Sequence, residues 1–217
     1  MIYELRRYTL RPGRRETLLS LFDREFVETQ EAVGIDVIGQ FRDLDDPDAF
    51  PWIRAFPDMA ARKAALTAFY TGPAWQAHRE AANATMIDST DVLLLRPAGG
   101  RLPRWDRPPL GSGEAASSLW VATTYHVEPG FEAFFADEVA PLLAAGGTPP
   151  VACFATEHAE NTYPLLPVRT GEEVFVWFAR FEREADERVV DVPALAQRLT
   201  APPRRLRLTP TPRSTLR

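Results

Sequence analysis

The sequence is poor in residues that several functional classes require. Among its 217 residues it has one cysteine, Cys153, one lysine, three histidines and no run of eighteen apolar residues. A single cysteine cannot form an internal disulfide, which fits a reducing compartment. The missing apolar run argues against a membrane-spanning helix, and the net charge of -5 argues against a nucleic-acid partner. Because the first residues carry charges where a secretory signal needs apolar ones, we expect a cytoplasmic protein without membrane or nucleic-acid partners.

The composition that is present suits a globular fold. Hydrophobic residues make up 45% of the chain and charged residues 25%, so a buried core can form. The length allows one large domain or two small ones.

Four anchors occur twice, in the same order. The segment Tyr8–Gly13, which ends in Pro-Gly, is echoed by Tyr125–Gly130. The other three pairs are Trp52 and Trp177, Pro73 and Pro193, and Leu95 and Leu208. The repeat predicts two tandem units, residues 1–98 and 119–217, joined by a linker over 99–118 that is rich in glycine and proline. Residues 158–171 are predicted to be a loop inserted in the second unit.

Hydrophobic periodicity assigns the same elements to both units. In the first unit, the pattern predicts a strand over 2–10, a helix through Phe22, a hairpin over 35–56, a helix interrupted at Pro73 and a last strand over 91–95. The second predicts the same order, with a helix through Phe135, a broken second helix and a frayed end after a strand at 204–208. We therefore predict an α+β fold of two tandem ferredoxin-like βαββαβ units, packed sheet to sheet as an internal pseudo-dimeric α/β barrel.

The residues in Tyr3–Gly13, Ile38–Phe41, Trp52 and Pro73–Trp75 resemble the NIPSNAP family. The resemblance covers residues 2 to about 97, and the second unit looks like a diverged copy. It implies the dimeric α/β barrel superfamily, which includes cofactor-free quinol monooxygenases, haem-degrading monooxygenases, lactone isomerases and polyketide cyclases. NIPSNAP members themselves mostly lack an assigned reaction, so the resemblance implies the fold and not the chemistry.

Candidate site residues are concentrated in the first unit. Glu4, Arg6 and Tyr8 share one face of the first strand, whereas their counterparts are Val121, Thr123 and Tyr125. We expect the charged groups to gather inside the barrel or at its mouth as a site for an anion or enolate. The predicted catalytic residues are Arg6, Tyr8 and His78; the predicted substrate-binding residues are Glu4, Arg42, Arg54, Trp52 and Trp75. The alternative is a Glu4–Arg6 ion pair at the barrel rim that only orders the sheet.

His78 and Trp75 lie three residues apart on a predicted helix and project to the same side. A helical histidine with a tryptophan resembles haem-degrading relatives, but the asparagine those relatives carry on a strand has no counterpart in the first strand here. Haem is thus a minor alternative, and packing of helices is the commoner role for such a pair. Three scattered histidines and one cysteine in an apolar segment do not indicate a metal site, so no metal and no cofactor is expected.

The favoured interpretation is a protein whose barrel interior binds a small organic molecule. As an enzyme it would be a cofactor-independent monooxygenase, isomerase or cyclase, with Arg6 and Arg54 stabilising charge and His78 transferring a proton. The rival is a non-catalytic binding or assembly module. A closed apolar interior would favour the module, and a cavity of a few hundred Å³ with convergent polar groups would favour the enzyme. The pseudo-dimers could also assemble into homo-oligomers.

Overall fold

The computed structural model describes residues 1–111 and 114–217, so Ser112 and Gly113 of the predicted linker lie outside the described residues. In the described residues the strands are β1 (Ile2–Leu10), β2 (Asp36–Asp43), β3 (Ala49–Phe56), β4 (Met86–Gly100), β5 (Leu119–His126), β6 (Ala152–Thr156), β7 (Val174–Phe181) and β8 (Arg204–Pro210). The α-helices are α1 (Arg15–Leu21), α2 (Val27–Glu31), α3 (Met59–Thr71), α4 (Pro73–Asn83), α5 (Phe131–Phe134) and α6 (Ala140–Ala145).

These strands form one closed antiparallel barrel in the order β1-β3-β2-β8-β5-β7-β6-β4. Each half contributes the same arrangement, β4-β1-β3-β2 from the N-terminal unit and β8-β5-β7-β6 from the C-terminal unit. The halves join where β2 pairs with β8 and where β4 pairs with β6. The predicted α+β fold and internal pseudo-dimeric barrel are therefore confirmed, and closure leaves no unpaired sheet edge between the two units.

Apolar side chains fill three separate layers. The barrel interior is packed with apolar residues from both units, among them Leu5, Trp120 and Phe178. The expectation of a ligand inside the barrel is therefore wrong, and by the criterion of interior volume this closed core favours a non-catalytic module. A second core lies between the N-terminal sheet and its helices, and a third lies in the same place in the C-terminal unit. Phe22 and Phe135 are 4% and 2% exposed and lie between helix and sheet in their units, as predicted.

The helices of the N-terminal unit follow local sequence signals. A π-helical segment, Phe22–Phe26, connects α1 to α2, and a matching segment, Phe135–Val139, connects α5 to α6. The Asp58 carboxylate caps α3 by accepting a hydrogen bond of 2.8 Å from the Ala61 amide. Gly72 then adopts an extended conformation, and Pro73 begins α4, so the predicted interruption is confirmed.

Between β7 and β8, where the structure describes every residue, the C-terminal unit lacks the corresponding pair of helices. Two short 3₁₀ turns, Glu184–Asp186 and Pro193–Gln197, stand in place of the predicted broken helix. The segment between them contains Val189, Val190 and Val192, and β-branched residues followed by proline disfavour a helix. This half of the sheet is therefore covered by irregular chain.

Two further expectations about the ends of elements are wrong. β4 extends to Gly100 because it pairs with β6 across the junction of the units. The chain end is not frayed: Ser214 and Leu216 are both 0% exposed, and the Thr215 hydroxyl donates a hydrogen bond of 2.5 Å to the Ile38 carbonyl. The last residues thus pack against the N-terminal unit at one end of the barrel, where Leu216 joins the interior core.

Candidate functional site

The charged face of β1 lies beneath the helices of the N-terminal unit. Alternate residues of this strand enter different cores: Leu5 packs in the barrel interior, whereas Tyr8 packs in the layer under the helices. Glu4 and Arg6 share the face of Tyr8, and Arg54 lies opposite Glu4 on β3. The expectation that these groups gather inside the barrel or at its mouth is therefore wrong, since the interior face of β1 carries Leu5 instead.

Glu4 is the centre of a buried group of arginines. Its Oε2 accepts hydrogen bonds of 2.7 Å from Arg6 Nη1 and 2.7 Å from Arg54 Nε, and its Oε1 accepts one of 2.6 Å from Arg62 Nε. We call these four residues the arginine cluster. Arg6 is 1% exposed and the other three are 0% exposed. The predicted Glu4–Arg6 ion pair exists, but it is buried under helices rather than placed at a barrel rim.

The charges of the arginine cluster do not balance. Among the described residues Glu4 is the only acidic partner of its three guanidinium groups. Although burial alone would raise the pKa of Glu4, Arg54, Arg6 and Arg62 hold it well below its usual range. Within the same described part, Arg54 Nη2 and Arg62 Nη2 are buried donors without a hydrogen-bond partner. The cluster thus holds excess positive charge and unused donors, which together suit an anion.

Side chains from two other elements complete the cluster. Gln30 on α2 accepts a hydrogen bond of 3.1 Å from Arg54 Nη1 and donates one of 3.0 Å to the Phe26 carbonyl of the π-helical segment. Asn161 accepts one of 3.0 Å from Arg62 Nη1. Because Asn161 belongs to the loop inserted in the C-terminal unit, each unit contributes to this site.

An aromatic cavity lies beside the arginine cluster. It is lined by Tyr8, Leu18, Phe22, Phe26, Gln30, Trp52, Phe69, Tyr70, Trp75, Ala82 and Met86. Its volume of about 30 Å³ is too small for an organic molecule while the helices keep this position. Tyr163 of the inserted loop stacks on Tyr70 with ring centroids 6.0 Å apart, so the loop also covers the side of the cavity.

Two donors of the cavity wall are available to a ligand. The Tyr8 hydroxyl oxygen accepts a hydrogen bond of 3.1 Å from Arg6 Nε, which leaves its own proton free to be donated. The Trp52 indole N–H is buried and has no partner among the described residues. The Arg6 guanidinium also lies 5.4 Å from the Tyr8 ring centroid and 5.6 Å from that of Trp52. The wall is therefore aromatic, positively polarised and rich in donors.

The structure brings six of the predicted residues together and leaves two outside. Glu4, Arg6, Arg54, Tyr8, Trp52 and Trp75 lie in the arginine cluster or line the cavity. Arg42 instead forms hydrogen bonds of 2.8 and 2.7 Å with the Glu16 carboxylate, because its position on β2 is beside the junction with β8. His78 on α4 is one-third exposed and does not line the cavity; its ring lies 6.4 Å from that of Phe26, and its Nε2 lies 3.3 Å from Glu25 Oε2.

Sequence reasoning missed Arg62, Gln30 and Asn161. A signal for Arg62 exists: it shares a helical stripe with Ala65, Leu66 and Phe69, all buried, and arginine on such a stripe is unusual. Gln30 and Asn161 have no comparable signal, since their partners lie 24 and 99 residues away along the chain.

The remaining expectations concern metals and membranes. Within residues 1–111 and 114–217 no group of three or more histidine, cysteine, aspartate or glutamate side chains could hold a metal ion. Cys153 is buried in its apolar segment, and burial raises the pKa of its thiol to about 12. No helix in the described part of the chain combines the length and apolar character needed to cross a bilayer.

Comparison with solved structures supports the fold. A proposed monooxygenase from Fusobacterium nucleatum has 9% identity and a TM-score of 0.63, with 96% of this chain and 91% of that chain covered. An anthrone oxidase-like protein has 11% identity and a TM-score of 0.61, with 97% and 91% covered. A proposed monooxygenase from Lactobacillus acidophilus has 12% identity and a TM-score of 0.55, with 96% and 93% covered. At these identities the likeness shows the fold alone.

Sequence comparison finds a known family for the N-terminal unit only. No curated protein matches the chain. The model of the NIPSNAP family matches residues 3–99, which contain β1 to β4 except for Ile2 and Gly100, and all residues of the arginine cluster and of the aromatic cavity. The match covers less than half of the chain, so it assigns a NIPSNAP domain to the N-terminal unit alone.

Proposed function

We propose that the N-terminal unit binds the anionic form of a small enolic or phenolic molecule in the aromatic cavity and oxygenates it without a cofactor. The observation that carries the proposal is the imbalance of the arginine cluster, in which three buried guanidinium groups face one carboxylate. Isolated buried charge is costly, so an arrangement that keeps two uncompensated cations suits a site whose ligand brings negative charge.

The cluster would favour ionisation of the ligand. A nearby positive charge stabilises the ionised form of an acid and lowers its pKa, and the effect is strong where water is excluded. Tyr8 and Trp52 would donate hydrogen bonds to the developing oxyanion, with the Tyr8 hydroxyl polarised by the hydrogen bond from Arg6. His78 has no part in this scheme, because it pairs with Glu25 and does not line the aromatic cavity.

An enolate of this kind can react with O₂ directly. The reacting carbon is the methylene carbon that loses a proton when the enolate forms, and it becomes a carbonyl. One oxygen atom of O₂ enters this carbonyl. The other oxygen atom leaves as water, which takes up both hydrogens of the original methylene group. The solved structures named as monooxygenases and as anthrone oxidase-like share this fold, which supports oxygenation over isomerisation or cyclisation.

Binding would require the cavity to open. Helix α4 follows the extended Gly72 and buries only Ala82 among its residues, so it is held less firmly than α3, which buries four. An outward movement of α4 about Gly72 would widen the cavity without breaking the hydrogen bonds of Glu4. We place substrate entry on this side.

Anthrone is a suitable probe because it enolises and carries a reactive methylene group. Oxygen uptake and formation of anthraquinone should exceed the rate without protein, while 9,10-dihydroanthracene, which cannot enolise, should not react. Arg6→Met and Tyr8→Phe should each lower the rate at least about tenfold. Arg7→Met and Tyr3→Phe are matched controls, since both side chains lie on the other face of β1.

Three results would count against the proposal. Oxygen uptake no faster than the blank would rule out oxygenation of this substrate class, and anthrone binding without uptake would favour the non-catalytic module. Equal rates for Arg6→Met and Arg7→Met, with both variants folded by circular dichroism, would show that the arginine cluster does not act on the ligand.

A further inference from the structure

A second cavity lies in the C-terminal unit at the place equivalent to the arginine cluster. It occupies about 330 Å³ between β5, β7, the start of β8 and the largely irregular chain over 188–203. The cavity exists because this unit lacks a counterpart of α3 and α4, so the sheet is covered only by short turns. Its volume is at the lower end of the range of small-molecule sites. We call it the C-terminal cavity.

The wall of the C-terminal cavity is mostly apolar. Leu143, Val192 and Leu195 are buried side chains that line it, and Tyr125 contributes its ring. The charged residues that line it, Arg188, Asp191 and Arg205, are all exposed side chains. The charges therefore lie at the solvent edge, and none is buried at the base.

Buried donors without partners lie at the base of this cavity. Thr123 is 2% exposed and Trp177 is 4% exposed, and both line the cavity. Neither the Thr123 hydroxyl nor the Trp177 indole N–H has a hydrogen-bond partner among the described residues. Burial raises the pKa of the neighbouring Tyr125 phenol, and the Trp177 N–H offsets part of that rise without reaching hydrogen-bond geometry. An unsatisfied buried donor is costly, so these two groups indicate an acceptor on a ligand.

The two cavities differ in charge at matching positions. Where the N-terminal unit has Glu4, Arg6 and Arg54, the C-terminal unit has Val121, Thr123 and Ala179. The aromatic wall is retained, since Tyr125 corresponds to Tyr8 and Trp177 to Trp52. The substitutions remove every buried charge and keep the donors that a neutral oxygen would use.

We infer that the C-terminal cavity binds an uncharged, largely apolar molecule that carries a carbonyl oxygen. The carbonyl accepts from the Trp177 indole N–H and the Thr123 hydroxyl, and the hydrocarbon part packs against Leu143, Val192 and Leu195. This site is distinct from the aromatic cavity of the N-terminal unit, and the inference does not depend on the function proposed for that unit.

Three tricyclic probes with one skeleton separate the contributions. 9-Fluorenone has the carbonyl, fluorene lacks it, and 9-fluorenecarboxylate replaces it with a charge. Isothermal titration should show fluorenone binding in a 1:1 complex, fluorene binding about three- to tenfold more weakly and the carboxylate not binding. Thr123→Val and Trp177→Phe should each weaken fluorenone by about three- to tenfold and leave fluorene unchanged.

Thr124→Val is the matched control, because the Thr124 side chain faces the barrel interior on the same strand. Thr123→Val nearly preserves shape, so it remains informative if Trp177→Phe does not fold. Absence of fluorenone binding, stronger binding of the carboxylate, or equal fluorenone affinity for the wild type and Thr123→Val would overturn the inference.

Discussion

Replacing Glu4 with glutamine tests whether the arginine cluster is held together by one carboxylate. In the wild type this side chain is 0% exposed and accepts hydrogen bonds of 2.6 to 2.7 Å from three guanidinium groups. Glutamine keeps the size but removes the negative charge, and its amide group directs a donor toward other donors. Removing one partner of a buried ion pair costs about 3 to 5 kcal/mol, and we expect Glu4→Gln to reach this range.

The matched control is Glu16→Gln. Glu16 also binds an arginine, Arg42, but its side chain is 62% exposed. Exposed pairs contribute about 0 to 1 kcal/mol because water and salt screen them. The free energy of unfolding at pH 7, measured by urea titration with tryptophan fluorescence, should therefore fall several times more for Glu4→Gln than for Glu16→Gln.

The effect of Glu4→Gln should depend on pH with a definite sign. The pKa of Glu4 is lowered in the folded protein, so its stabilising contribution is complete above the ordinary value of 4.5 and is lost as the pH falls toward the folded pKa. At pH 3.5 the difference in free energy of unfolding between wild type and Glu4→Gln should be smaller than at pH 7 by about 1.4 kcal/mol. A cost no larger than that of Glu16→Gln, or a difference that grows on acidification, would refute the reasoning.

Two other substitutions test the helix layer of the N-terminal unit. Phe22→Ala should lower the free energy of unfolding by about 3 to 5 kcal/mol, because the ring is 4% exposed and packs against Phe50 and Trp52. Leu165→Ala is the control, since Leu165 is 82% exposed. A loss below about 1 kcal/mol for Phe22→Ala would contradict the packing. Burial raises the pKa of Asp23 to about 6, so its ionised form destabilises the folded protein at pH 7. Asp23→Asn should therefore add about 1 to 3 kcal/mol to the unfolding free energy at pH 7.5, and thermal melts should show this gain vanish near pH 4. An equal gain at both pH values would exclude titration of Asp23 as the cause.

The location of the predicted site shows how far a strand pattern can be interpreted. Side chains alternate between the two faces of a strand, which placed Glu4, Arg6 and Tyr8 on one face of β1. Comparison of the two units showed that only the N-terminal unit carries these charges. The period does not say which face meets the helices, because both faces of a barrel strand are buried. The charged groups were accordingly expected in the barrel interior, whereas the structure places them in the helix layer.

The sequence by itself determined the two-unit organisation and the order of the strands, because hydrophobic periodicity, turn residues and repeated anchors are local signals. Only the tertiary structure decided which groups surround Glu4, since Arg62 and Asn161 come from a helix and a loop far away along the chain. It also decided that the C-terminal sheet retains a cavity of about 330 Å³ and that the chain end is buried. These features depend on how distant elements pack together, and no local pattern of residues contains that information.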